Sequence, residues 1–488
     1  MSVESEYKSK IPLEKEADRL SPKALEQARV VGFDREFSAI FEELKRIGRG
    51  EVLHRAVYVE GYYGSGKTYF LRKLAHEATK LPNTIPIYFY LGEDGTYIFK
   101  NLEGYVEALE KYVETGFTIN PHVMGFPEYW GGNKLDALRE SIQYVIDYAA
   151  KNQVEEAEKF FRSMKYLNER GYVPLVIFDE IERVIYTGEG FKDERAYSEF
   201  APFFKRYPEL VRGHIFSGMV VVATTFDIDT LIRRATEEFR YNVEKLSRVL
   251  GVDIIKNPRA FAMFRAEERR DYDIVLRLTW SREKLASINE YYDLSVPEEL
   301  IRLLSEVLPT PRALIELSNS LRSTTPTGVE ESPFYSVIKN NLKELIDRLK
   351  RPVEFKAETG EKIQITVITA VSKWHENLEK LLMKGYLIIT PESYLEIAKL
   401  LGINFSESDG KSLENAKSKV RSKIRDLVAL GFYERRGREV ILSPQFTAYL
   451  LGLPKLPDGS DAKIDTMVSK ISAKVRERRG EVAGEGTE

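Results

Sequence analysis

The sequence contains no cysteine and only five histidines. Without cysteine the chain has no disulfide, no Cys-ligated zinc, no iron–sulfur cluster and no thiol nucleophile. No two histidines are separated by the spacing that is typical of two ligands to one metal ion, which argues against a histidine-based metal site. No apolar run approaches the roughly 18 residues that span a bilayer, and the N-terminal MSVESEYKSK lacks a signal-peptide core. We therefore expect a cytoplasmic protein without membrane association.

The chain also lacks an excess of either charge, since 73 Lys and Arg face 76 Asp and Glu. Any nucleic-acid site must then be a local basic patch rather than a property of the whole chain. The 488 residues predict about three domains, and 43% hydrophobic residues suffice for their cores. The many Lys and Glu residues, together with the absence of cysteine, are typical of a thermophile.

Short apolar runs alternate with helical segments in the first half of the chain. The runs at 56–60, 85–91, 173–178 and 219–225 predict strands, and IVLRLTW contains one further strand-like run. Such β-branched runs separated by helices indicate a parallel sheet covered on both faces, which is an α/β fold.

We predict six consecutive segments. They are an N-terminal arm (1–27), an α/β core (28–280), a helical lid (281–350), a connecting segment (351–390), a winged helix (391–455) and a basic amphipathic or disordered tail (456–488). The winged helix is predicted from a short helix, a long helix near 412–430, and two strand-like runs around a charged glycine turn.

The strongest motif is GYYGSGKT at 61–68, a complete G-x-x-x-x-G-K-[ST] between a predicted strand and helix. Its glycines allow backbone N–H groups to face phosphate oxygens at a helix N-terminus. Lys67 is expected to bridge the β- and γ-phosphates of ATP, and Thr68 to ligate Mg²⁺. The nucleotide would contact this loop and the residue after it, namely Gly61, Tyr62, Tyr63, Gly64, Ser65, Gly66, Lys67, Thr68 and Tyr69.

A second motif is LVIFDE, which places Asp179 and Glu180 at the carboxyl end of a buried strand. Ligands bind at this edge of α/β sheets. Asp179 is expected to hold the hydrated Mg²⁺, and Glu180 to polarise the attacking water as catalytic base. A third strand, MVVVATT, ends in two hydroxyls, Thr224 and Thr225, which could contact the γ-phosphate.

These motifs carry a family resemblance. The order VGFDREF, GYYGSGKT, LVIFDE, VVATT, KLSRVLG and TPRAL resembles AAA+ ATPases of the origin-recognition and STAND type over residues 28–345. The phrases EGYYGSGKTYFLR and LVIFDEIERV are also similar to ATP-binding proteins of BREX-type phage-defence systems.

The resemblance to AAA+ ATPases implies roles for further residues. Val31 and Arg35, with Gly32, would lie near the adenine, and Thr225 (or Thr224) would be the first sensor. Arg312 would reach the nucleotide from the lid as second sensor. Arg248 would be the arginine finger supplied to a neighbouring subunit, in preference to Arg233, Arg234 and Arg240.

Basic residues cluster in the predicted winged helix. Lysine and arginine on its long helix and at its hairpin tip suit phosphate contacts on duplex DNA, although winged helices also serve protein contacts. The DNA-binding residues expected are Lys419, Arg421, Lys423, Arg435, Arg436 and Arg438.

The sequence therefore predicts a Mg²⁺-dependent ATP hydrolase that couples ATP binding and hydrolysis to oligomer assembly on DNA. The expected partners are further copies of the chain, in a ring or filament, and double-stranded DNA. Two alternatives stay open. One is a STAND-like switch with a protein partner, and the other is a motor or loader acting with a helicase or nuclease.

Overall fold

The computed structural model describes residues 21–90, 98–118, 120, 122–154, 156–180, 217–224, 273–323, 331–350, 353–356, 362–365, 374–458 and 460–479. The chain divides into two compact units, Met1–Thr279 and Trp280–Glu488. Among the helices in these ranges, none combines the length and apolar character that crossing a bilayer requires.

The first unit is built from alternating helices and strands. Its described elements are, in chain order, α1 (Pro22–Gln27), α2 (Asp34–Gly48), β1 (His54–Gly61), α3 (Lys67–Thr79), β2 (Thr84–Tyr90), α4 (Ile98–Thr115), a 3-10 turn (Pro127–Trp130), α5 (Asn133–Ala149), α6 (Glu156–Glu169), β3 (Val173–Asp179), β4 (Gly218–Thr224) and β5 (Asp273–Leu278).

The five strands form one parallel sheet in the order β2-β3-β4-β1-β5. This confirms the predicted α/β class, and β5 is the strand-like run of IVLRLTW. Every residue of β3 is buried, as expected for a strand covered on both faces. On one face, Phe89 and Phe178 belong to the large hydrophobic cluster that includes residues of α4, α5 and α6. The alternate residues of the strands, such as Tyr88, face α3.

The second unit is mostly helical. Its described elements are α7 (Arg282–Tyr291), α8 (Glu298–Val307), α9 (Pro311–Ser323), α10 (Pro333–Lys350), β6 (Val353–Lys356), β7 (Lys362–Ile365), α11 (Trp374–Met383), β8 (Ile388–Ile389), a 3-10 turn (Pro391–Ser393), α12 (Tyr394–Leu400), α13 (Gly410–Leu430), β9 (Tyr433–Arg436), β10 (Glu439–Leu442), α14 (Pro444–Leu450) and α15 (Ile464–Arg479).

The C-terminal part of this unit combines helices with a three-stranded antiparallel sheet, ordered β8-β10-β9. Helix α13 begins where the Asp409 carboxylate accepts from the Lys411 amide, and it ends at Gly431, whose φ of 86° allows the left-handed C-cap. Its buried residues recur every three or four positions, which fixes one face against the core: Ala416, Val420, Ile424, Leu427 and Leu430.

The segments predicted as the connecting segment and the basic amphipathic or disordered tail contain described strands and helices. The segment 351–390 supplies β8, which pairs with β10, because Ile388 and Ile389 lie opposite Ile441 and Val440. The segment 456–488 forms α15, which packs against α10, α13 and α14. Met467 and Ile471 are buried on this helix, and residues at i and i+4 lie on one face of a helix.

Candidate functional site

The segment between β1 and α3 is a tight loop whose shape depends on glycine. The Ser65 amide donates to the Tyr62 carbonyl at 3.0 Å, which closes a turn. Gly66 precedes α3 with φ at 92°, a conformation that side-chain-bearing residues rarely adopt. A Cβ added to Gly61 would lie 2.5 Å from Ser65 Oγ, so only glycine fits there without displacement.

Lys67 is held inside this loop. Its side chain is buried, and its Nζ donates to the carbonyl oxygens of Gly61 at 2.8 Å and Tyr62 at 3.2 Å. Thr68, half-buried, follows in the first turn of α3, where backbone N–H groups lack intrahelical acceptors. The N-terminus of α3 therefore offers backbone amide groups and a lysine ammonium, a combination that binds phosphate oxygens.

Asp179 ends β3 and is fully buried. Its Oδ1 accepts from the Glu180 amide at 3.0 Å, and its Oδ2 accepts from the Tyr88 hydroxyl at 2.7 Å. Glu180 has φ at 56°, in the left-handed region that costs a non-glycine residue about 1 kcal/mol or more. The turn that orients the Glu180 side chain is therefore a strained one.

The sheet brings the loop and the acidic pair to one edge. Strands β1, β4 and β3 are parallel neighbours, so Gly61 and Asp179 both lie at their carboxyl ends. Helix α3 packs against β1, β2 and β3, which places its N-terminus at this same edge. The edge thus carries a phosphate-binding loop, a buried carboxylate and a second carboxylate at Glu180.

A further ion pair fixes the start of the loop. Glu60 immediately precedes Gly61 and is almost completely buried. Arg277 of β5 donates from Nε to Glu60 Oε2 at 2.9 Å. In the register of the sheet Glu60 lies opposite Thr224 on one side and Arg277 on the other. The sequence motifs do not include this pair.

The residues expected near the adenine lie beside α3. Tyr69 donates its hydroxyl to the Arg29 carbonyl at 3.2 Å, which ties the first turn of α3 to the segment before Val31. Val31 is half-buried in a turn, and Arg35 is exposed in the first turn of α2. The structure therefore brings Tyr69 and the segment leading to Val31 together, at the loop end of α3.

The remaining expected residues are Thr224 or Thr225, Arg248 with its alternatives, and Arg312. Thr225 and Arg248, together with the alternatives Arg233, Arg234 and Arg240, lie outside the described residues. Thr224 is the last residue of β4. Arg312 is half-buried near the start of α9 and belongs to the second unit.

Tyr88, which donates to Asp179, and the two residues that contact its ring, Arg72 and His122, were not expected from the sequence. Tyr88 could have been found, because it precedes the carboxyl end of β2 by two residues, at the edge where Asp179 was sought. Arg72 stands one helical turn after Thr68, on the same side of α3. His122 lies in a loop and carries no recognisable signal in the sequence.

A cluster of ion pairs joins helix α1 to the C-terminal half of helix α3. His76 Nε2 lies 2.5 Å from Glu26 Oε2, Lys80 Nζ lies 2.8 Å from the same oxygen, and Lys73 Nζ lies 2.6 Å from Glu77 Oε1. The hydrogen bonds from His76 and Lys80 hold the pKa of Glu26 at about 2. Although His76, Glu26 and Glu77 could offer metal ligands, two ammonium groups already neutralise the carboxylates. We describe this group as an ion-pair cluster.

The expected DNA-binding residues divide by their surroundings. Lys419 and Arg421 are exposed on α13, and Lys423 is half-buried. The Arg421 guanidinium also lies 5.7 Å from the centre of the Tyr394 ring. In the hairpin between β9 and β10, Arg435 and Arg436 end β9 and Arg438 lies in the turn that follows, and all three are exposed.

Arg436 is held by acidic partners at ion-pair distance. Its Nη2 lies 2.6 Å from Glu434 Oε1, and its Nη1 donates to the Glu306 carbonyl and lies 3.4 Å from Glu306 Oε2. A second pair joins the same elements, since Arg302 Nη2 lies 2.9 Å from Glu439 Oε1. The hairpin is therefore attached to α8. Arg436 is already ion-paired, and its contact with a DNA phosphate stays a prediction.

The groups at the sheet edge match the chemistry of Mg²⁺. The carboxylate of Asp179 and the hydroxyl of Thr68 are oxygen donors, which this hard cation prefers. Asp179 is also buried and oriented by two hydrogen bonds, as expected of a group that holds an ion in place.

Taken together, the parallel sheet, the loop GYYGSGKT and the Asp179–Glu180 pair define the first unit as a P-loop nucleotide-binding core of the α/β class. Within this class, a family model described as BREX system ATP-binding protein BrxC/D matches residues 22–83, which include β1, the loop and α3. This confirms the resemblance to BREX ATP-binding proteins seen in the sequence. No curated protein matches the chain.

Solved structures similar to this chain include a Cdc6, an ORC1 and a DnaA protein. Cdc6p from Pyrobaculum aerophilum is 14% identical with a TM-score of 0.39, covering 95% of this chain and 99% of that one. The ORC1 protein of Aeropyrum pernix, in complex with DNA, is 14% identical with a TM-score of 0.33, covering 95% and 96%. AMPPCP-bound DnaA from Aquifex aeolicus is 14% identical with a TM-score of 0.30, covering 83% and 92%.

Proposed function

We propose that the first unit binds ATP with Mg²⁺ and hydrolyses it, as an AAA+ ATPase of the origin-recognition type. The observation that carries the proposal is the meeting of the phosphate loop and Asp179–Glu180 at one edge of the sheet. Mg²⁺, when bound, neutralises phosphate charge. Thr68 and Asp179 would hold it, directly or through its water.

The remaining chemistry falls to residues of this chain. Lys67, already pointed into the loop by two carbonyls, would donate to the β- and γ-phosphate oxygens and orient them. Glu180 would accept the proton of the water that attacks the γ-phosphate. Its left-handed turn sets this carboxylate apart from Asp179, so that adjacent residues can perform different tasks.

Two substitutions test this assignment. Lys67→Ala should abolish ATP binding, because the phosphate charge loses its partner. Glu180→Gln should retain binding and stop hydrolysis, because an amide accepts no proton at neutral pH. Lys111→Ala and Glu169→Gln, which change the same residue types at exposed positions, are the controls. Equal loss of binding in both site variants would contradict the assigned roles.

We infer that the active site is completed by residues beyond the loop. Thr225 would act as first sensor, Arg312 as second sensor from the helical lid, and Arg248 as the finger given to a neighbouring subunit. Hydrolysis would then depend on a ring or filament of this chain. The support is the order of motifs along the sequence, which follows that of AAA+ ATPases.

We infer further that residues 391–455 form a winged helix that binds double-stranded DNA. The described order of α12, α13 and the β9–β10 hairpin supports this assignment, as do the exposed basic side chains of Lys419, Arg421, Arg435 and Arg438. ATP binding in the core would then be coupled to assembly on DNA. The cytoplasm is the proposed place of action.

A second candidate function follows from the match to BREX ATP-binding proteins over residues 22–83. In this case the chain would act as a motor or loader with a helicase or nuclease in DNA defence. A STAND-like switch would instead hold ADP tightly and respond to a protein.

One measurement separates these functions. The mass of the purified protein is determined with and without a slowly hydrolysed ATP analogue, and again with duplex DNA. Growth of the particle with both ligands supports assembly on DNA. A monomer that retains ADP and ignores DNA supports the switch. A particle that forms only with a second protein supports the loader.

A further inference from the structure

The buried carboxylate of Asp179 accepts a hydrogen bond from a buried tyrosine. Tyr88, which is 2% exposed, gives its hydroxyl hydrogen to Asp179 Oδ2 at 2.7 Å. In the β2–β3 register Tyr88 lies opposite Ile177, so Asp179 is its diagonal neighbour on the same face. The tyrosine therefore reaches along the sheet toward the edge where the phosphate loop lies.

Tyr88 is itself held by two further residues. The His122 ring lies parallel to the Tyr88 ring, with centroids 5.3 Å apart and planes within 3°, and it also lies 5.2 Å from the Tyr90 ring. The Arg72 guanidinium is 5.8 Å from the centre of the Tyr88 ring, and its Nη2 is 3.2 Å from His122 Nδ1. These contacts leave the Tyr88 ring little freedom.

The hydrogen bonds define the protonation of the group. A guanidinium has only donors, so His122 Nδ1 must accept, and His122 is neutral with its hydrogen on Nε2. Burial, followed by the charge of Arg72, lowers the pKa of His122 to about 3. The Tyr88 hydroxyl lies 2.7 Å from a carboxylate oxygen, and an ionised carboxylate has only acceptors, so the hydroxyl is the donor in this bond.

The geometry points to a role for this group in metal binding. We infer that Tyr88 is a positioning residue that fixes the Asp179 carboxylate in the orientation that holds the hydrated Mg²⁺ of bound nucleotide. Arg72 and His122 hold Tyr88 in place. Each carboxylate oxygen can accept about two hydrogen bonds, so the bonds from Tyr88 and the Glu180 amide leave acceptor capacity for water bound to the metal. The inference rests on the proposed ATP site.

Removing one hydroxyl group tests the inference. Tyr88→Phe deletes the donor to Asp179 and preserves the ring that contacts His122. Tyr105→Phe is the matched control, because Tyr105 is also buried and donates its hydroxyl to a backbone oxygen of β2, that of Pro86, at 3.1 Å. Tyr105 belongs to the hydrophobic cluster on the other face of the sheet.

Two affinities are measured for each protein. The first is ADP affinity in the presence of EDTA, which reports on the phosphate loop alone. The second is Mn²⁺ affinity of the ADP complex, followed by electron paramagnetic resonance. Loss of an outer-shell partner typically weakens metal binding about tenfold or more. We therefore expect about tenfold weaker Mn²⁺ binding by Tyr88→Phe, unchanged ADP binding in EDTA, and wild-type values for Tyr105→Phe.

The outcomes separate this inference from the proposed function. If the wild-type ADP complex binds no Mn²⁺, the proposed metal-dependent site is wrong. If the wild type binds Mn²⁺ and Tyr88→Phe binds it equally well, the role of Tyr88 alone is overturned. Equal losses in Tyr88→Phe and Tyr105→Phe also overturn it, because they indicate a general effect of weakened packing.

A second variant covers the case in which Tyr88→Phe no longer binds ADP in EDTA. His122→Asn keeps an oxygen acceptor available to Arg72 but removes the ring that lies against Tyr88. We expect weaker Mn²⁺ binding with ADP affinity in EDTA preserved. Unchanged Mn²⁺ affinity in this variant would overturn the inference.

Discussion

The three arginines of the β9–β10 hairpin should contribute unequally to DNA binding. Arg435 and Arg438 are exposed, whereas Arg436 is engaged by Glu434 and Glu306. We compare a double variant, Arg435→Ala with Arg438→Ala, with the single variant Arg436→Ala. The double variant removes two exposed cations from the proposed DNA surface, and the single variant removes one that is held at ion-pair distance by two carboxylates.

The expected magnitudes follow from counterion release. Each lost phosphate contact lowers the slope of log affinity against log salt by about 0.9, so the double variant should lose about 1.8. Between about 50 and 200 mM salt, wild-type affinity would then fall about twelvefold more than that of the double variant. Arg436 must give up half-exposed ion pairs, each contributing about 0–1 kcal/mol, before it binds phosphate. Its slope change should therefore be less than about 0.9.

The assay is fluorescence anisotropy on two unrelated duplexes over this salt series, with ATP hydrolysis measured in parallel. Both duplexes should respond alike, because phosphate contacts carry no base information. Basal hydrolysis should survive, because the hairpin is far in sequence from the nucleotide motifs. An unchanged slope in the double variant would refute the assignment of DNA binding to the hairpin. A loss on one duplex only would show that the hairpin reads bases.

The remaining predictions concern the phosphate loop, a buried lysine and the subunit interface. Gly66→Ala should weaken ATP binding at least about tenfold because alanine is strained at a φ of 92°, whereas Gly104→Ala, in open space on α4, should not. Burial lowers the pKa of Lys134 from 10.5 to about 8, so between these values this group keeps its proton in the unfolded state but not in the folded state, and its contribution to stability rises with pH. The free energy of unfolding of the wild type minus that of Lys134→Met, measured by denaturant unfolding, should therefore rise by about 3 kcal/mol over this range; a difference that does not change with pH would contradict it. Arg248→Ala should bind ATP without turnover, and mixing it with Glu180→Gln should restore activity if Arg248 acts on a neighbouring subunit. A mixture that stays inactive while oligomers form would favour another arginine.

The parts of the site that could be predicted from the sequence are encoded by consecutive residues. The loop at 61–68 holds its glycines, lysine and threonine within eight consecutive residues. The apolar run before it and the amphipathic segment after it indicate the flanking strand and helix. The same is true of Asp179 and Glu180, which follow a run of buried residues in β3. In each case the chemistry and the element that positions it lie within about ten residues, so local pattern was sufficient.

The partners of these residues could not be predicted, because they arise from packing between distant segments. Tyr88 and Asp179 are 91 positions apart, Arg72 and His122 are 50 apart, and Arg436 and Glu306 are 130 apart. No periodicity links such pairs. The hairpin shows the consequence, since its basic sequence predicts three equivalent phosphate contacts, whereas tertiary packing places Arg436 against Glu306 of α8.

The surroundings of Asp179 provide an independent reason to connect it with function. A carboxylate that is 0% exposed loses its hydration, and in an effective low dielectric this costs several kcal/mol unless donors replace the water. Here the donors are one amide and one buried tyrosine, and the nearby Arg72 is 6% exposed. An apolar residue at the end of β3 would avoid these costs, so stability alone gives no reason for the group. A requirement to present a fixed carboxylate beside the phosphate loop does give one, and it also explains why Tyr88, Arg72 and His122 are arranged around it.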